Sequence, residues 1–325
     1  MIIQYLAPKC FFGLETSFKT NLNMQFKRNH SESYFYKYAT ASTANLILKE
    51  GNFLAQSPLK FNDPFDVQVG MHFGFDIQRF PKLFYAKLMS LIESEVEPNF
   101  ENRNTMSTFV MRLREAHKAG ILSKEKLFKE TSETVAAIGT ILEENRLHFI
   151  KSREALVKRM RVLCLSQTPE SVLMWSHYAE DHTGVVIKLK VAETEAEDDP
   201  LWLAEKVTYT PKAIPLMTED EALEEVFGLK KYNVEKLSSQ LACIKFNVWK
   251  DEQEWRLWDV VQEGNSANYT IGINFKRFEA IYFGIRTSDK DVAEIRELAL
   301  QKNRNIEFYR ARKHSSEYKL EFTRI

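Results

Sequence analysis

What the chain lacks sets the first limits. Its 325 residues hold three cysteines, Cys10, Cys164 and Cys243, far apart, odd in number and without metal-ligand spacing. That usage argues against a disulfide framework, offers no zinc-ligand pairs and suits reduced, buried thiols in a reducing compartment. An excess of either charge is also missing, with 45 Lys plus Arg against 45 Asp plus Glu. No bulk field draws the chain to nucleic acid or to an anionic membrane, so any nucleic-acid contact has to come from a local patch. No segment approaches the length of a membrane span. The opening MIIQYLAPKCFFGLETSFKTN has neither the basic segment nor the unbroken apolar run of a secretory signal. The expectation is a cytoplasmic protein of bacterial type. Repeats and low-complexity linkers are absent too, which argues against a string of modules.

Apolar residues are plentiful, at 44% of the chain with 23 Phe, enough for one large core or two smaller ones. YFYKY at 34–38 reads as a strand, and STANLILKEG as a short helix capped by Ser42 or Thr43 and stopped by Gly51. FLAQS at 53–57 and VQVGMHFGF at 67–75 read as further strands. Between them SPLKFNDPFD, 57–66, is an ordered loop fixed through Asx turns by Asn62, Asp63 and Asp66 and anchored by Phe61 and Phe65. Helical spacing then runs from Phe80 through 105–119 and 123–160, a helical insertion at about 76–160. Strands at 161–166 and 184–191 flank a turn of helix in SVLMWSHYAED, and ETEAEDDP at 193–200 is a solvated acidic loop. The stretch 219–247 is helical. Strands at 253–262, 268–273 and 279–284, a helix at 289–302 and strands at 305–311 and 317–323 complete the pattern. This describes one α+β domain over 34–325, preceded by an extension, residues 1–33, that is either a packed arm or loosely held.

DEQEWRLW at 251–258 poses the functional question. On a strand, Glu252, Glu254 and Arg256 share one face while Gln253, Trp255 and Leu257 share the other. Packing explains the second set; the first is a solvated face or a catalytic one, and surface pairing of Glu254 and Arg256 with neighbouring strands is the plain alternative. Lys37 has an equally plain alternative as an exposed strand lysine. His177 reads as a packed, hydrogen-bonded residue and His182 as solvent-facing. Trp175, Trp249 and Trp255 read as core, and Gly184 and Gly284 as serving backbone geometry. A different chemistry stays open, in which Asp63, Asp66, Glu252 and Glu254 hold a divalent metal in a nuclease with Lys37 on the phosphate. So does a non-catalytic protein that uses its helical insertion as a partner surface.

FYKY at 35–38, the helix ending at Gly51, SPLKFNDPFD, VLCLSQT at 162–168, MWSHYAEDHTGVVI at 174–187, KFNVWKDEQEWRL at 245–257 and IYFG at 281–284 occur in an order that resembles a large bacterial family. That family is known as domain of unknown function twenty-nine seventy-one, and its name carries no activity. A second resemblance does. Tyr36-Lys37-Tyr38, followed by Thr40, Asn45, Leu46, Ile47 and Gly51, is similar to the opening of DarT-type ADP-ribosyltransferases, where a histidine stands at the place of Lys37. Glu252-Gln253-Glu254 falls near the chain end, as the Glu-x-Glu or Gln-x-Glu strand of many ADP-ribosyltransferases does. The resemblance implies mixed or antiparallel sheets of ADP-ribosyltransferase-like type, NAD as substrate, and a toxin or antiphage-defence effector with an antitoxin or defence-system partner. In this reading Glu254 bonds the ribose and faces the positive charge that builds as nicotinamide leaves, and Glu252 positions or deprotonates the nucleophile. Lys37 holds the phosphate or adenosine ribose, and Tyr36, Tyr38 or Trp175 stacks on nicotinamide or adenine. The acceptor stays open among protein, RNA, DNA and small molecules.

Overall fold

The computed structural model describes residues 27–69, 72–121, 123–194, 198–231, 241–262 and 268–325. Cys10 and most of the extension therefore lie outside the described residues. The chain divides into two compact units, a sheet unit and a helical one.

The sheet unit comprises residues 27–69, 156–194, 198–212, 241–262 and 268–325 of those described. Its strands in chain order are β1 (Tyr34–Ala39), β2 (Asn52–Leu54), β3 (Met160–Ser166), β4 (Val185–Lys190), β5 (Glu205–Lys206) and β6 (Thr208–Thr210). They are followed by β7 (Ile244–Phe246), β8 (Glu254–Val260), β9 (Thr270–Gly272), β10 (Phe278–Phe283), β11 (Glu307–Lys313) and β12 (Leu320–Arg324). Eight of them form one sheet in the order β12-β11-β10-β4-β1-β3-β8-β5. Every neighbouring pair in it is antiparallel except β10 and β11. That parallel pair needs a crossover, and the helix Asp289–Lys302 supplies it. β2 with β9 and β6 with β7 make two small sheets.

Alternation along the strands divides the apolar residues between the faces. Phe35, Leu163, Leu165, Val185, Ile187, Leu189, Trp255, Leu257 and Ile281 meet in the main core. Tyr38, Trp175, Val186 and Leu320 form a second cluster. The arm at 27–33 is packed, with the His30 ring 5.1 Å from both Phe35 and Trp255 and Ser33 accepting from the Val191 amide.

One junction is different from the rest. β1 pairs with β4 along its whole length, and β3 does the same with β8, but β1 and β3 meet only at Tyr36 and Ser166. The sheet therefore parts between β1 and β3. Where ladder bonds would continue, the Lys37 ammonium donates to the Cys164 carbonyl across 3.0 Å.

With α1 as Ala41–Glu50, the helical unit contains α2 (Phe80–Glu93), α3 (Thr105–Lys118), most of α4 (Lys124–Arg159) and, past α5 (Val172–Tyr178), α6 (Glu219–Phe227). The helix at Asp289–Lys302 is then α7. Capping boxes start α3 at Asn104 with Ser107 and α6 at Thr218 with Glu221. Residues 213–231 pack in this unit with 72–155, so the stretch around α6 belongs with the helical excursion.

Several expectations need correction. α1 is capped by Thr40, whose hydroxyl accepts from the Thr43 amide, not by Ser42 or Thr43. Residues 67–69 and 72–75 form no strand; Val67 sits at φ 60 inside a turn, which breaks the extended run. The helix begun at Glu219 stops at Phe227 because Gly228 takes the left-handed conformation, and Ile244–Phe246 is β7. Phe65 does not anchor its loop, being 67% exposed. Asp199 is not solvated; it is buried and accepts from the Ala192 and Leu201 amides.

Candidate functional site

The parting of β1 from β3 opens a cleft of about 400 Å³. The end of β1 and the start of α1 supply Tyr36, Lys37, Tyr38, Thr40 and Thr43 to its wall. Asn62 and Asp66 come from the loop after β2, Cys164 from β3, and His177 and Tyr178 from α5. Lys245, Glu252 and Glu254 form the floor. β8 is neighbour to β3, so Lys37 and Glu254 face one concavity although 217 positions of numbering separate them.

The floor is a buried ion cluster. Arg256 is fully buried, and all five of its N–H donors are used. Nε and Nη2 fork onto Glu254 at 2.8 and 3.0 Å, Nη1 and Nη2 fork onto Asp66 at 2.9 and 2.6 Å, and Nη1 also donates to the Ala242 carbonyl at 2.7 Å. The Lys245 ammonium lies 2.5 Å from Glu252, 3.0 Å from Glu254 and 3.4 Å from Asp66. Tyr178 donates to the other Glu252 oxygen at 2.8 Å and accepts from Asn62 at 3.3 Å. Three carboxylates against two cations leave one negative charge in excess when all are ionised. Bidentate, saturated geometry of this kind makes such burial tolerable.

The two glutamates differ in proton affinity. Burial alone would raise the Glu254 carboxyl, but the Arg256 and Lys245 charges outweigh it and hold that carboxyl well below the usual carboxylate range. At Glu252 burial prevails over the Lys245 charge, and the neighbouring Glu254 adds to it, so the carboxyl is raised. Burial also lowers the Lys37 ammonium, against the opposing Glu254 charge. One carboxylate is thus fixed as an anion while its neighbour takes up a proton more readily. That division equips a site for paired acid–base and electrostatic work.

Glu252, Glu254 and Arg256 converge as strand alternation suggests, but by a different route. Glu252 ends a 3-10 turn over Asn247–Glu252, Gln253 takes the left-handed conformation at φ 45, and β8 starts only at Glu254. Surface pairing of Glu254 and Arg256 with neighbouring strands is overturned, since both are buried and bond to each other. Tyr36, Tyr38 and Lys37 line the cleft. Trp175 does not; it is fully buried and donates to the Pro169 carbonyl, so it cannot serve as a stacking platform there. His177 is exposed at the cleft, not packed inside, and His182 is half-buried and stacked on Trp175. Trp249 is half-buried instead of core.

Asp66, Glu252 and Glu254 do meet, but around Lys245 and Arg256, whose N–H groups take the lone pairs a cation would need. The fourth carboxylate of that set, Asp63, turns to its own loop and accepts from the Phe65 amide in an Asx turn. Sequence reasoning missed Lys245, the centre of the cluster, by placing it in a helix. It also left Tyr178 without a role. Lys245 lies seven residues before Glu252, a spacing that shares a face only on a helix, whereas β7 and the 3-10 turn bring the two together here, so only the fold reveals it.

The floor of the site falls largely within one stretch of chain. Residues 174–257 match the family described as protein of unknown function, DUF2971. The chain resembles that family over the segment that carries Tyr178, Lys245, Glu252, Glu254 and Arg256, leaving only Asp66 of the cluster outside. No curated protein and no solved structure matches the chain.

Proposed function

We propose that the protein cleaves NAD at its nicotinamide glycosidic bond and transfers ADP-ribose to an acceptor, in an ADP-ribosyltransferase-like fold. The observation that carries this reading is the meeting of Lys37 and Glu254 in one cleft at the parting of the sheet. Its volume of about 400 Å³ suits a small-molecule ligand. Departure of nicotinamide builds positive charge on the ribose, and Glu254, held ionised at the floor of the cleft, faces it. Lys37, Lys60 and the start of α1 at Thr40 and Thr43 offer a cationic and hydrogen-bonding wall for the diphosphate. Tyr36 gives an aromatic surface beside it. Glu252, with its raised carboxyl, is the group to receive the acceptor's proton. The carboxylates converge on Lys245 and Arg256, which favours this chemistry over a divalent-metal nuclease.

The test is nicotinamide release from NAD by the full chain, followed with the Lys37→Met variant. The expected result is turnover by the wild type and, for the variant, a rise in KM of about tenfold or more in a protein that still melts cooperatively, as loss of one charge-assisted contact implies. Wild-type protein that leaves NAD intact defeats the proposal.

A further inference from the structure

Glu252 has the raised carboxyl, yet both its oxygens are occupied. One is held by Lys245 at 2.5 Å and the other by the Tyr178 hydroxyl at 2.8 Å. The Glu252 side chain is 8% exposed, whereas Tyr178 is half-buried along the cleft wall. An acceptor in the cleft therefore meets the phenol before it meets the carboxylate. We infer that Tyr178 is a catalytic residue, relaying the proton of a hydroxyl or amine acceptor to Glu252.

The hydroxyl inventory fits that task. A tyrosine hydroxyl has one proton to donate and two lone pairs to accept with. The proton goes to Glu252, one lone pair takes the Asn62 amide at 3.3 Å, and the second remains for the acceptor's O–H or N–H. Asn62 is then a positioning residue. Burial, and next the Glu252 charge, push the Tyr178 hydroxyl above its ordinary range, so it does not act as a standing tyrosinate. It moves protons only in concert.

The inference rests on the transferase reading, and its step balances. The acceptor's proton passes to the Tyr178 oxygen while the phenolic proton passes to Glu252. The acceptor lone pair forms the new bond to ribose C1, and the C1–N bond breaks with its electron pair leaving on neutral nicotinamide. Glu252 then returns the proton through Tyr178 to water.

Water can itself serve as the O–H acceptor, so the experiment is NAD hydrolysis by the full chain in mixtures of H2O and D2O. The wild type should show a curved proton inventory, the mark of two protons moving together. Tyr178→Phe should lower kcat by about 100-fold with KM for NAD unchanged and leave the inventory linear. Glu252→Gln should cost as much, and the double variant no more than either, because the two act as a unit. 3-Fluorotyrosine at position 178 keeps the hydroxyl and should keep the curvature, which separates loss of relay from loss of fold. No nicotinamide release by the wild type overturns the transferase reading and the relay with it. Wild-type kcat and curvature in Tyr178→Phe, or losses that multiply in the double variant, overturn the relay alone.

Discussion

Arg256 ties a loop, a strand and a backbone carbonyl together through one side chain, via Asp66, Glu254 and Ala242. Replacing it with Met fills the volume but leaves two buried carboxylates short of partners. Breaking a buried pair in this way costs about 3–5 kcal/mol, and the urea midpoint of Arg256→Met should fall accordingly with its m-value unchanged. The glutamates predict opposite pH dependences. Glu252 has a raised folded carboxyl, so its contribution is complete below the unfolded carboxyl pKa and is lost as pH rises through the folded value. Glu254 has a depressed one, so its contribution is present above the unfolded pKa and is lost as pH falls through the folded value. Melting curves across pH should show the wild-type advantage over Glu252→Gln shrinking upward from the ordinary carboxylate range. The advantage over Glu254→Gln should shrink downward from it. At this scale the sequence exposed the two glutamates and Arg256 through their spacing. It hid Lys245 and grouped Asp66 with the glutamates only as a metal ligand, because partners brought together by tertiary packing leave no local pattern.

Among the elements, those governed by local chemistry were legible. Gly51 stops α1 in the left-handed conformation, and α7 runs over Asp289–Lys302 as its periodicity indicates. The segment 67–75 was not legible, because its alternating apolar residues mimic a strand while the turn at Val67 bends the chain away. The glycine before β4 was legible as a backbone requirement, and the structure supplies the reason. A Cβ on Gly184 would lie 2.2 Å from the Ala39 carbonyl oxygen, at the end of β1. The obstruction is backbone, which has little freedom to yield. Gly184→Ala should therefore cost at least the roughly 1–3 kcal/mol of ordinary overpacking, read as a lower melting temperature. Since β1 and β4 pair in register from Tyr34↔Lys190 to Ala39↔Val185, the loss of hydrogen-exchange protection should concentrate in those strands.

The molecule as a whole depends on pairings that no short window of sequence contains. β1 is flanked by β3 and β4, which lie more than a hundred residues further along, and the floor of the cleft joins Asp66 to Arg256 across 190 positions. Contacts so distant form slowly and leave no local pattern, which is why the parting of the sheet was not readable beforehand. Translation gives that distance a direction in time. As the nascent chain grows, β1 emerges with both edges bare, and neither neighbour exists until residues 160–190 have followed. An apolar strand with two open edges is a target for aggregation and for chaperones. Ribosome-stalled chains ending before residue 160 should therefore be cleaved by protease within 34–39, and those extending past residue 190 should resist. Of these, chains ending before residue 245 would still lack Lys245, Glu252, Glu254 and Arg256. The cleft is thus completed only once residue 256 has been made, and a product terminated before residue 245 would carry its walls without its floor.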